Sequence, residues 1–358
     1  MAKTAKHAEK SHSKLLRYSL WALAGTVVFI VLAVLNFYAI ALWYQHSQSK
    51  LPLKQGATFI PSYAAYLGLD PQKTLDAVID DLGVDQLRLT SYWNEIEPTP
   101  GTYDFTTLDW QMKKAEAAGA DVSLAIGLRQ PRWPECHAPD WVDTSKPAEQ
   151  WQPALEKYIT AVVERYKDSP SLKSYQLENE FFNTFGECKN FDRARLQSEL
   201  DLVKKLDPKH PVIISRSNNY AGVPVRQPLP DIHGISLYRK VYSPWVRGYY
   251  TYPFPSWYYA GLAGIQKLMT GKPSIIHELQ AEPWPAQSGG ITNASLEEQN
   301  KTFNADQLRA NTAFAQQTGI RHIDLWGAEY WYYRKEILKD PSVWEAAKKV
   351  YGAQSHAN

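Results

Sequence analysis

This sequence of 358 residues has few cysteines, no closely spaced pairs of histidines and little net charge. Two cysteines exclude a disulfide-dense fold, and neither belongs to a CxxC zinc or redox pair. The nine histidines form no HxH or HExxH pair, so we predict no metal site and no cofactor. A formal net charge of +2 leaves no broad basic surface, and a nucleic acid partner is therefore not predicted.

Charge is also missing from one segment near the N-terminus. The 24 residues from Leu20 to Trp43 carry no charged side chain, and a helix of this length can span a bilayer. Five basic residues against one acidic residue precede this run, which predicts a cytoplasmic N-terminus and an extracytoplasmic remainder. We predict an uncleaved signal anchor. The alternatives are a buried core helix and a cleaved signal peptide with Ala39 and Ala41 in the cleavage site.

The predicted organisation has four parts. They are a basic cytoplasmic tail over residues 1–17, a transmembrane anchor over 18–44, a linker over 45–55 and one domain over 56–358. Without its tail the chain carries 34 basic and 36 acidic residues, so the outer domain is slightly acidic.

Short apolar runs alternate with amphipathic helical segments in the remainder of the chain. The predicted strands are 57–60, 86–90, 122–126, 174–177, 212–215, 235–238, 274–277 and 323–326. Eight strand–helix repeats in about 300 residues are the number and length of a (β/α)8 barrel. A doubly wound open sheet is the alternative, but no Gly-rich phosphate turn follows the first strand.

The two cysteines follow neighbouring strands of this barrel. Cys136 comes after strand three and Cys188 after strand four, so the two loops meet at the barrel rim. In an extracytoplasmic domain a disulfide between them is expected to persist. Two buried free thiols are the alternative.

Carboxylates stand at the ends of strands four and seven, which finish in Glu178-Asn179-Glu180 and in His277-Glu278. Reacting groups of such barrels project from the C-terminal strand ends, so Glu180 and Glu278 are predicted to face each other. Glycoside hydrolysis needs two carboxyl groups, one to protonate the leaving oxygen and one to attack or to activate water. Glu178 is the competitor for Glu180, and Glu282 for Glu278.

The residues around these carboxylates resemble the clan A (β/α)8 retaining glycoside hydrolases, which include many cellulases, mannanases, xylanases and β-galactosidases. The run RLTSYWNEIEPTPGTYDF over 88–105 is similar to the clan's R…W…EP…G-x-Y-D-F pattern, and Asn179-Glu180 to its Asn-Glu pair. Phe181 stands where many members have Pro, and His277 where several have Thr or Ile. These departures leave the family within the clan open.

The resemblance implies a role for each matching residue. Glu180 corresponds to the acid/base and Glu278 to the nucleophile. Asn179 corresponds to the residue that binds the sugar 2-hydroxyl group. Arg88 and Tyr238 correspond to the residues that keep the nucleophile ionised and hydrogen-bonded.

Aromatic residues are expected to form sugar platforms, since an indole face stacks on the apolar face of a pyranose. Trp326 corresponds to the tryptophan that floors the clan's cleaved-sugar subsite. Five more are predicted in the loops at the mouth: Trp93, Trp133, Trp284, Trp331 and Tyr332. The segment 327–334 is expected to carry much of the specificity, and Arg129 or Arg334 is a candidate for binding an anionic sugar. Strand alternation points His277 away from Glu278 and into the barrel wall, and tuning of the nucleophile or substrate binding is its alternative role.

The sequence therefore predicts a membrane-anchored, extracytoplasmic glycosidase that cleaves a β-linked oligo- or polysaccharide by double displacement. A transglycosidase and a catalytically silent glycan-binding barrel are the first two alternatives. A metal-dependent barrel hydrolase is the third, disfavoured by the histidine spacing. The sequence predicts no oligomeric state.

Overall fold

The computed structural model describes residues 2–217, 228–286 and 290–355, without the side chains of 2–16 and 353–355. Its centre is a closed barrel of eight parallel strands in the order β1-β10-β9-β6-β5-β4-β3-β2. These strands are β1 (Lys54–Phe59), β2 (Gln86–Thr90), β3 (Asp121–Ile126), β4 (Leu172–Leu177), β5 (Val212–Arg216), β6 (Ile232–Leu237), β9 (Ser274–Gln280) and β10 (His322–Trp326). A separate hairpin contains β7 (Lys240–Ser243) and β8 (Gly248–Thr251).

Helices surround the barrel and connect its strands. In the described residues they are α1 (Ala2–Gln48), α2 (Pro61–Tyr66), α3 (Pro71–Asp76), α4 (Trp93–Ile96), α5 (Thr106–Ala118), α6 (Ala148–Tyr166), α7 (Arg193–Leu206), α8 (Ser256–Thr270), α9 (Leu296–Asn300), α10 (Ala305–Gln317), α11 (Ala328–Glu336) and α12 (Ser342–Ser355). A π-helical turn, Ala77–Asp81, continues α3, and a 3-10 turn, Ile291–Asn293, precedes α9.

The predicted (β/α)8 barrel is confirmed, with all eight predicted strands in place. They were recognisable because strands buried on both faces read as short apolar runs. The hairpin β7–β8 was not predicted, and strands one and six each begin three residues earlier than expected. The segment after strand five, 218–227, and the basic side chains before Arg17 lie outside the described part of the chain.

Packing of α6 shows how the helices are held on the barrel. Its apolar residues recur every three or four positions, so they lie on one face of the helix. Leu155, Tyr158, Ile159 and Val162 on that face are fully buried. Burial of a large aliphatic side chain contributes about 2 kcal/mol, so this stripe fixes α6 against the sheet.

Alternation of side chains breaks in β9. Ile276 pairs with Ile235 of β6 and with Ile323 of β10, but the register shifts after this point on both sides. A bulge of this kind re-aims side chains, so consecutive residues can point to the same face. His277 and Glu278 lie at the shift, just below the C-terminal strand ends. These ends form the mouth of the barrel.

The N-terminal helix is continuous and packs against the barrel. Residues 17–48 of α1 are long and apolar enough to cross a membrane, and the side chains up to Leu35 are exposed. The predicted linker over 45–55 is too long, since α1 continues to Gln48 and β1 begins at Lys54. Close approach to α8 uses Gly261, where an added Cβ atom would lie 2.5 Å from the Phe37 ring.

Candidate active site

Two carboxylates that follow β4 have different surroundings. Glu178 is fully buried and accepts hydrogen bonds from the backbone N–H groups of Leu128 and Arg129, at 2.7 and 3.1 Å. Its Oε1 also lies 3.1 Å from the guanidinium of Arg195. Glu178 therefore holds the β3 loop and α7 in place and does not line the cleft. Glu180, two residues later, lines the cleft at the mouth.

Glu180 is buried among polar groups. Its Oε2 accepts a hydrogen bond from Asn183 Nδ2 at 2.6 Å. Burial and the negative charge of Glu278 raise the pKa of Glu180 to about 7, against the effect of the hydrogen bond from Asn183. The carboxyl group can therefore both give and take a proton near neutral pH.

Glu278 lies on β9 and lines the same cleft. Its Oε1 is 2.8 Å from Arg88 Nη1, and its Oε2 accepts a hydrogen bond from Tyr238 Oη at 2.9 Å. Arg88 has no exposed surface, so this ion pair is shielded from solvent. Glu278 therefore has a buried positive charge and a phenol donor within hydrogen-bonding distance.

Arg88 also ties this centre to β4. Its Nε donates to Gln176 Oε1 at 2.7 Å, and its Nη2 donates to Asn179 Oδ1 at 2.9 Å. Asn179 Nδ2 in turn donates to Glu135 Oε2 at 3.0 Å. The guanidinium thus positions the two strands that carry Glu180 and Glu278 relative to each other.

The placement predicted for His277 is wrong. Because of the bulge in β9, His277 points into the barrel interior, where its Nε2 lies 3.3 Å from Asp324 Oδ2 and 3.4 Å from Ser123 Oγ. Burial lowers the pKa of His277, and the charge of Arg88 acts in the same direction. His277 lies below the cleft and does not line it.

The cleft has a volume of about 880 Å³. Among the described residues, four carboxylates line it: Glu135, Glu180, Glu278 and Glu282. Its walls are aromatic, and come from the segment after β1, the loop after β3 and the hairpin β7–β8: Tyr63, Tyr66, Trp133, Tyr242, Trp245, Tyr250 and Tyr252. Phe185, Tyr238, Trp284 and Trp326 also line it.

Trp326 lies at the floor of the cleft beside Glu282. Its Nε1 donates to Glu282 Oε1 at 2.8 Å, and Arg132 lies over the indole ring at 4.4 Å from the ring centroid. Arg132 also pairs with Glu282 at 3.1 Å and covers the ring of Tyr63. Glu282 is therefore neutralised by an arginine on the cleft wall, as Glu278 is by Arg88.

Two of the five loop aromatics, Trp133 and Trp284, line the cleft. Trp133 is 59% exposed, and Phe185 packs between it and Trp284, with ring centroids 5.6 and 6.0 Å apart. Trp284 also packs against Tyr238, which donates a hydrogen bond to Glu278, and the two ring centroids lie 5.6 Å apart. These rings connect the carboxylate centre to the open rim.

The other three aromatics do not reach the cleft. Trp93 is fully buried and packs against Trp141 and Tyr158. Trp331 is also fully buried, and its Nε1 donates to the carbonyl of Ala281. Tyr332 packs on Trp344 at 5.2 Å, on the outer side of α11. The sequence shows that these residues are aromatic, but not which face of a helix is covered.

The segment 327–334 is likewise not a cleft loop. It forms the start of α11, and Glu329 there accepts a hydrogen bond from the backbone N–H of Ile60. Arg334 pairs with Asp340 at 2.6 Å, and Arg129 pairs with Glu135 at 3.4 Å. Glu329, Arg334 and Arg129 do not line the cleft, so the structure does not support an anionic-sugar site on either arginine.

The disulfide Cys136–Cys188 is confirmed, with its Cα atoms 5.2 Å apart. It ties the loop after β3 to the loop after β4.

Glu135, adjacent to this bridge, was not identified from the sequence. Burial raises the pKa of Glu135 well above its usual range, and the charges of Glu180 and Glu278 add to this effect. Nothing in the sequence distinguishes Glu135 from a surface carboxylate, since it ends no strand.

Comparison with known proteins identifies relatives of this barrel. A family model described as β-galactosidase matches residues 76–200. The curated β-galactosidase LacZ of Heyndrickxia coagulans is 27% identical over 124 residues, which cover 30% of this chain and 18% of the relative. This chain therefore matches only about a fifth of the length of that protein.

Solved structures share the fold at low sequence identity. GH5_18 from Streptomyces cattleya, in complex with GlcNAc, superposes with a TM-score of 0.56 at 14% identity, over 77% of this chain and 70% of that one. The exo-β-1,4-mannosidase Op5Man5 from Opitutaceae bacterium strain TAV5 has the same TM-score and identity, over 85% and 60%. A β-galactosidase from Halorubrum lacusprofundi also has a TM-score of 0.56 and 14% identity, over 85% and 58%.

The family model, the curated relative and the shared fold are all consistent with the resemblance to the clan A (β/α)8 glycoside hydrolases seen in the sequence. Within this class, the matching family model is that of the β-galactosidases, and it covers the part of the chain from α3 to α7. The matching family and the relatives named above as β-galactosidases and mannosidase are glycosidases.

Proposed function

We propose that this protein is a membrane-anchored retaining glycosidase that cleaves β-linked glycans by double displacement. One observation carries the proposal: two carboxylates in one cleft have opposite electrostatic settings. Glu278 is paired with Arg88 and Tyr238, whereas Glu180 has a pKa raised to about 7. Such a division suits a nucleophile and a general acid.

In the first step Glu278 attacks the anomeric carbon with a carboxylate oxygen. The bond to the leaving oxygen breaks, and Glu180 transfers its proton to that oxygen. A covalent glycosyl ester on Glu278 results, and Glu180 is left ionised. The negative charge of Glu278 disappears at this stage, so one of the two causes that raise the pKa of Glu180 is removed when the residue must become a base, while burial remains.

In the second step Glu180 takes a proton from water, which attacks the anomeric carbon and releases Glu278 as a carboxylate. The sugar leaves with its original anomeric configuration. Arg88 and Tyr238 then stabilise the regenerated carboxylate. Both residues act through Glu278 and are therefore positioning residues, as is Asn179 through its bond to Arg88.

The aromatic walls support a glycan as substrate. Trp133, Trp284 and Trp326 offer ring faces or edges along the cleft, and pyranose rings stack on such surfaces. The relatives named as β-galactosidase and exo-β-1,4-mannosidase support a β-linkage. A cleft volume of about 880 Å³ accommodates an oligosaccharide.

The membrane anchor is supported by α1. Its side chains between Tyr18 and Leu35 are exposed and apolar, apart from a few small or polar ones, which a helix in water would not favour. The basic residues at its start are consistent with a cytoplasmic N-terminus and an extracytoplasmic barrel. A disulfide at the rim is consistent with that location.

The test is azide rescue of two variants of the full-length protein in detergent, with an aryl β-glycoside as substrate. We expect Glu278→Ala and Glu180→Ala each to lose activity by on the order of a thousandfold. Azide should restore Glu278→Ala with an α-glycosyl azide as product. With Glu180→Ala the product should be the β-glycosyl azide, because the covalent intermediate still forms.

Glu282→Ala is the matched control, since Glu282 lies in the same cleft and is also paired with an arginine. We expect a loss of about tenfold or less and no azide product, because its partners are Arg132 and Trp326. Activity that survives both alanine substitutions would refute the proposal. An α-azide from Glu282→Ala instead of Glu278→Ala would reassign the nucleophile.

A further inference from the structure

The N-terminal helix runs in a defined direction along the barrel. Phe37 contacts Trp257 and Tyr258 in the first turn of α8, with ring centroids 6.0 and 5.7 Å apart. Tyr44 lies against Gly264, two turns further along α8. The two helices therefore run parallel, with residue 37 of α1 level with the start of α8.

Helix α8 begins at the mouth of the barrel and ends at the opposite face. It follows the C-terminal end of β6 and the hairpin β7–β8, and it leads into the start of β9 at Ser274. The other end of α1 agrees with this direction, because Gln45 Nε2 donates to the carbonyl of Gln317, shortly before β10 begins. The free part of α1 therefore leaves the barrel on the mouth side.

The length of this free part of α1 matches the thickness of the hydrocarbon core of a bilayer. A helix rises about 1.5 Å per residue, so a span of about 20 residues covers the roughly 30 Å hydrocarbon thickness. Counted from Leu20, such a span ends near Ala39, where α1 already contacts α8. No flexible segment lies between the predicted span and the barrel, since α1 is continuous to Gln48.

The rim of the mouth suits a lipid surface. At the tip of the hairpin β7–β8, Trp245 is 96% exposed and Val246 is 61% exposed, and Arg247 beside them is exposed as well. The hairpin directly precedes α8, the helix that α1 contacts. Tryptophan, an aliphatic residue and arginine together are typical of segments that insert at the membrane interface.

From this geometry we propose that the cleft opens towards the membrane and that the substrate is the glycan headgroup of a lipid in the same membrane. The proposal rests on the proposed glycosidase function and on the membrane span. It holds for either side of the membrane, because only the position of the barrel relative to α1 enters. A long polysaccharide in solution would have to enter between the barrel and the bilayer, whereas a lipid-linked glycan is presented there.

The orientation is tested without activity. Val246→Cys and Leu268→Cys of the full-length protein are labelled with an environment-sensitive fluorophore, since both native cysteines are joined in the disulfide. Leu268 is the matched control because it is 59% exposed but lies at the far end of α8. In phosphatidylcholine vesicles containing a headgroup nitroxide lipid, we expect quenching at 246 to exceed that at 268 several-fold. Equal quenching at both positions would overturn the orientation.

The substrate class is tested with a pair of fluorogenic glycosides that carry the same sugar, β-galactose. Two further pairs, with β-glucose and with β-mannose, are tested in parallel. In each pair, one glycoside carries a hexadecanoyl chain and sits in the vesicle that holds the protein, and the other is soluble. We expect Val246→Glu to cut the rate on the lipid-anchored probe by about tenfold, because a carboxylate is unfavourable at the interface. The rate on the soluble probe should stay unchanged, and Leu268→Glu should change neither.

The outcomes separate the two proposals. Cleavage of the soluble probe without cleavage of the lipid-anchored probe in the same vesicle would overturn the substrate class and leave the glycosidase function standing. Cleavage of lipid-anchored probe that sits only in separate vesicles, at the same rate, would also overturn it. Failure of every probe, with no azide product from the alanine variants, would refute the glycosidase function, while the quenching result still decides the orientation.

Discussion

Removal of the hydrogen bond from Asn183 to Glu180 should move the alkaline limb of the pH–rate profile upwards. Asn183 Nδ2 lies 2.6 Å from Glu180 Oε2 and stabilises the carboxylate more than the carboxylic acid. The first step requires protonated Glu180, so kcat/KM should fall about tenfold per pH unit above the pKa, which is about 7.

The size of the shift follows from the strength of this bond. A hydrogen bond to a charged group contributes about 1.5 kcal/mol, which corresponds to about one pH unit. Asn183→Ala is therefore expected to raise the limb by about one unit, so the variant stays active at a pH where the wild type has lost most of its rate. Thr184→Ala is the control, since Thr184 also lines the cleft on the same loop.

The assay is the pH dependence of kcat/KM on an alkyl β-glycoside. An alkyl leaving group is necessary, because an activated aryl group departs without a proton and would hide the limb. A limb that stays in place, or that moves to lower pH, would refute the assignment of Glu180 as the acid. An equal shift in Thr184→Ala would show that the loop, and not the hydrogen bond, sets the pKa.

Three further predictions concern stability. Glu180→Gln should raise the free energy of unfolding at pH 8 by up to about 3 kcal/mol and leave it unchanged at pH 4, because the raised pKa opposes folding only when the carboxyl group must ionise. Urea titrations at both pH values measure this difference, and stabilisation at pH 4 alone would contradict the prediction. Gly261→Ala should cost about 1–3 kcal/mol in thermal unfolding of the full chain, because the new methyl group meets the Phe37 ring, whereas Gly25→Ala, with open space around it, should not; equal melting temperatures would show that α1 is not docked. Replacing both cysteines by serine should cost about 4 kcal/mol in urea, since the bridge closes a loop with a sequence separation of 52 residues; an unchanged midpoint would show that the bridge does not constrain the unfolded chain.

Much of the barrel was readable from the sequence, because each buried strand is a compact apolar run and each helix shows a periodic stripe. Glu180 and Glu278 were found by the same logic, as carboxylates at strand ends. Contacts between distant strands are different. Arg88 reaches both Glu278 and Asn179 only because of how the barrel closes. The resemblance to a known family, and not the residue pattern, pointed to Arg88 as the partner of Glu278.

Failures of prediction also have physical causes. The period of two along a strand assumes an unbroken ladder, and the bulge in β9 removes that assumption for His277. The aromatic residue type does not reveal burial, so Trp93 and Trp331 were assigned to the cleft although both lie in the core. The strands of the hairpin β7–β8 have four residues each, too few for a pattern to stand out.

The unbroken course of α1 from the predicted membrane span into its contact with α8 has a consequence for which bond can be cut. A flexible tether would let the barrel sample many heights above the lipid, so linkages near and far from the lipid would be equally accessible. A helix that is packed on the barrel fixes that height instead. The distance from the lipid to the cleaved linkage then becomes a selection criterion, so that two glycans with the same terminal sugar but different spacer lengths are distinguished.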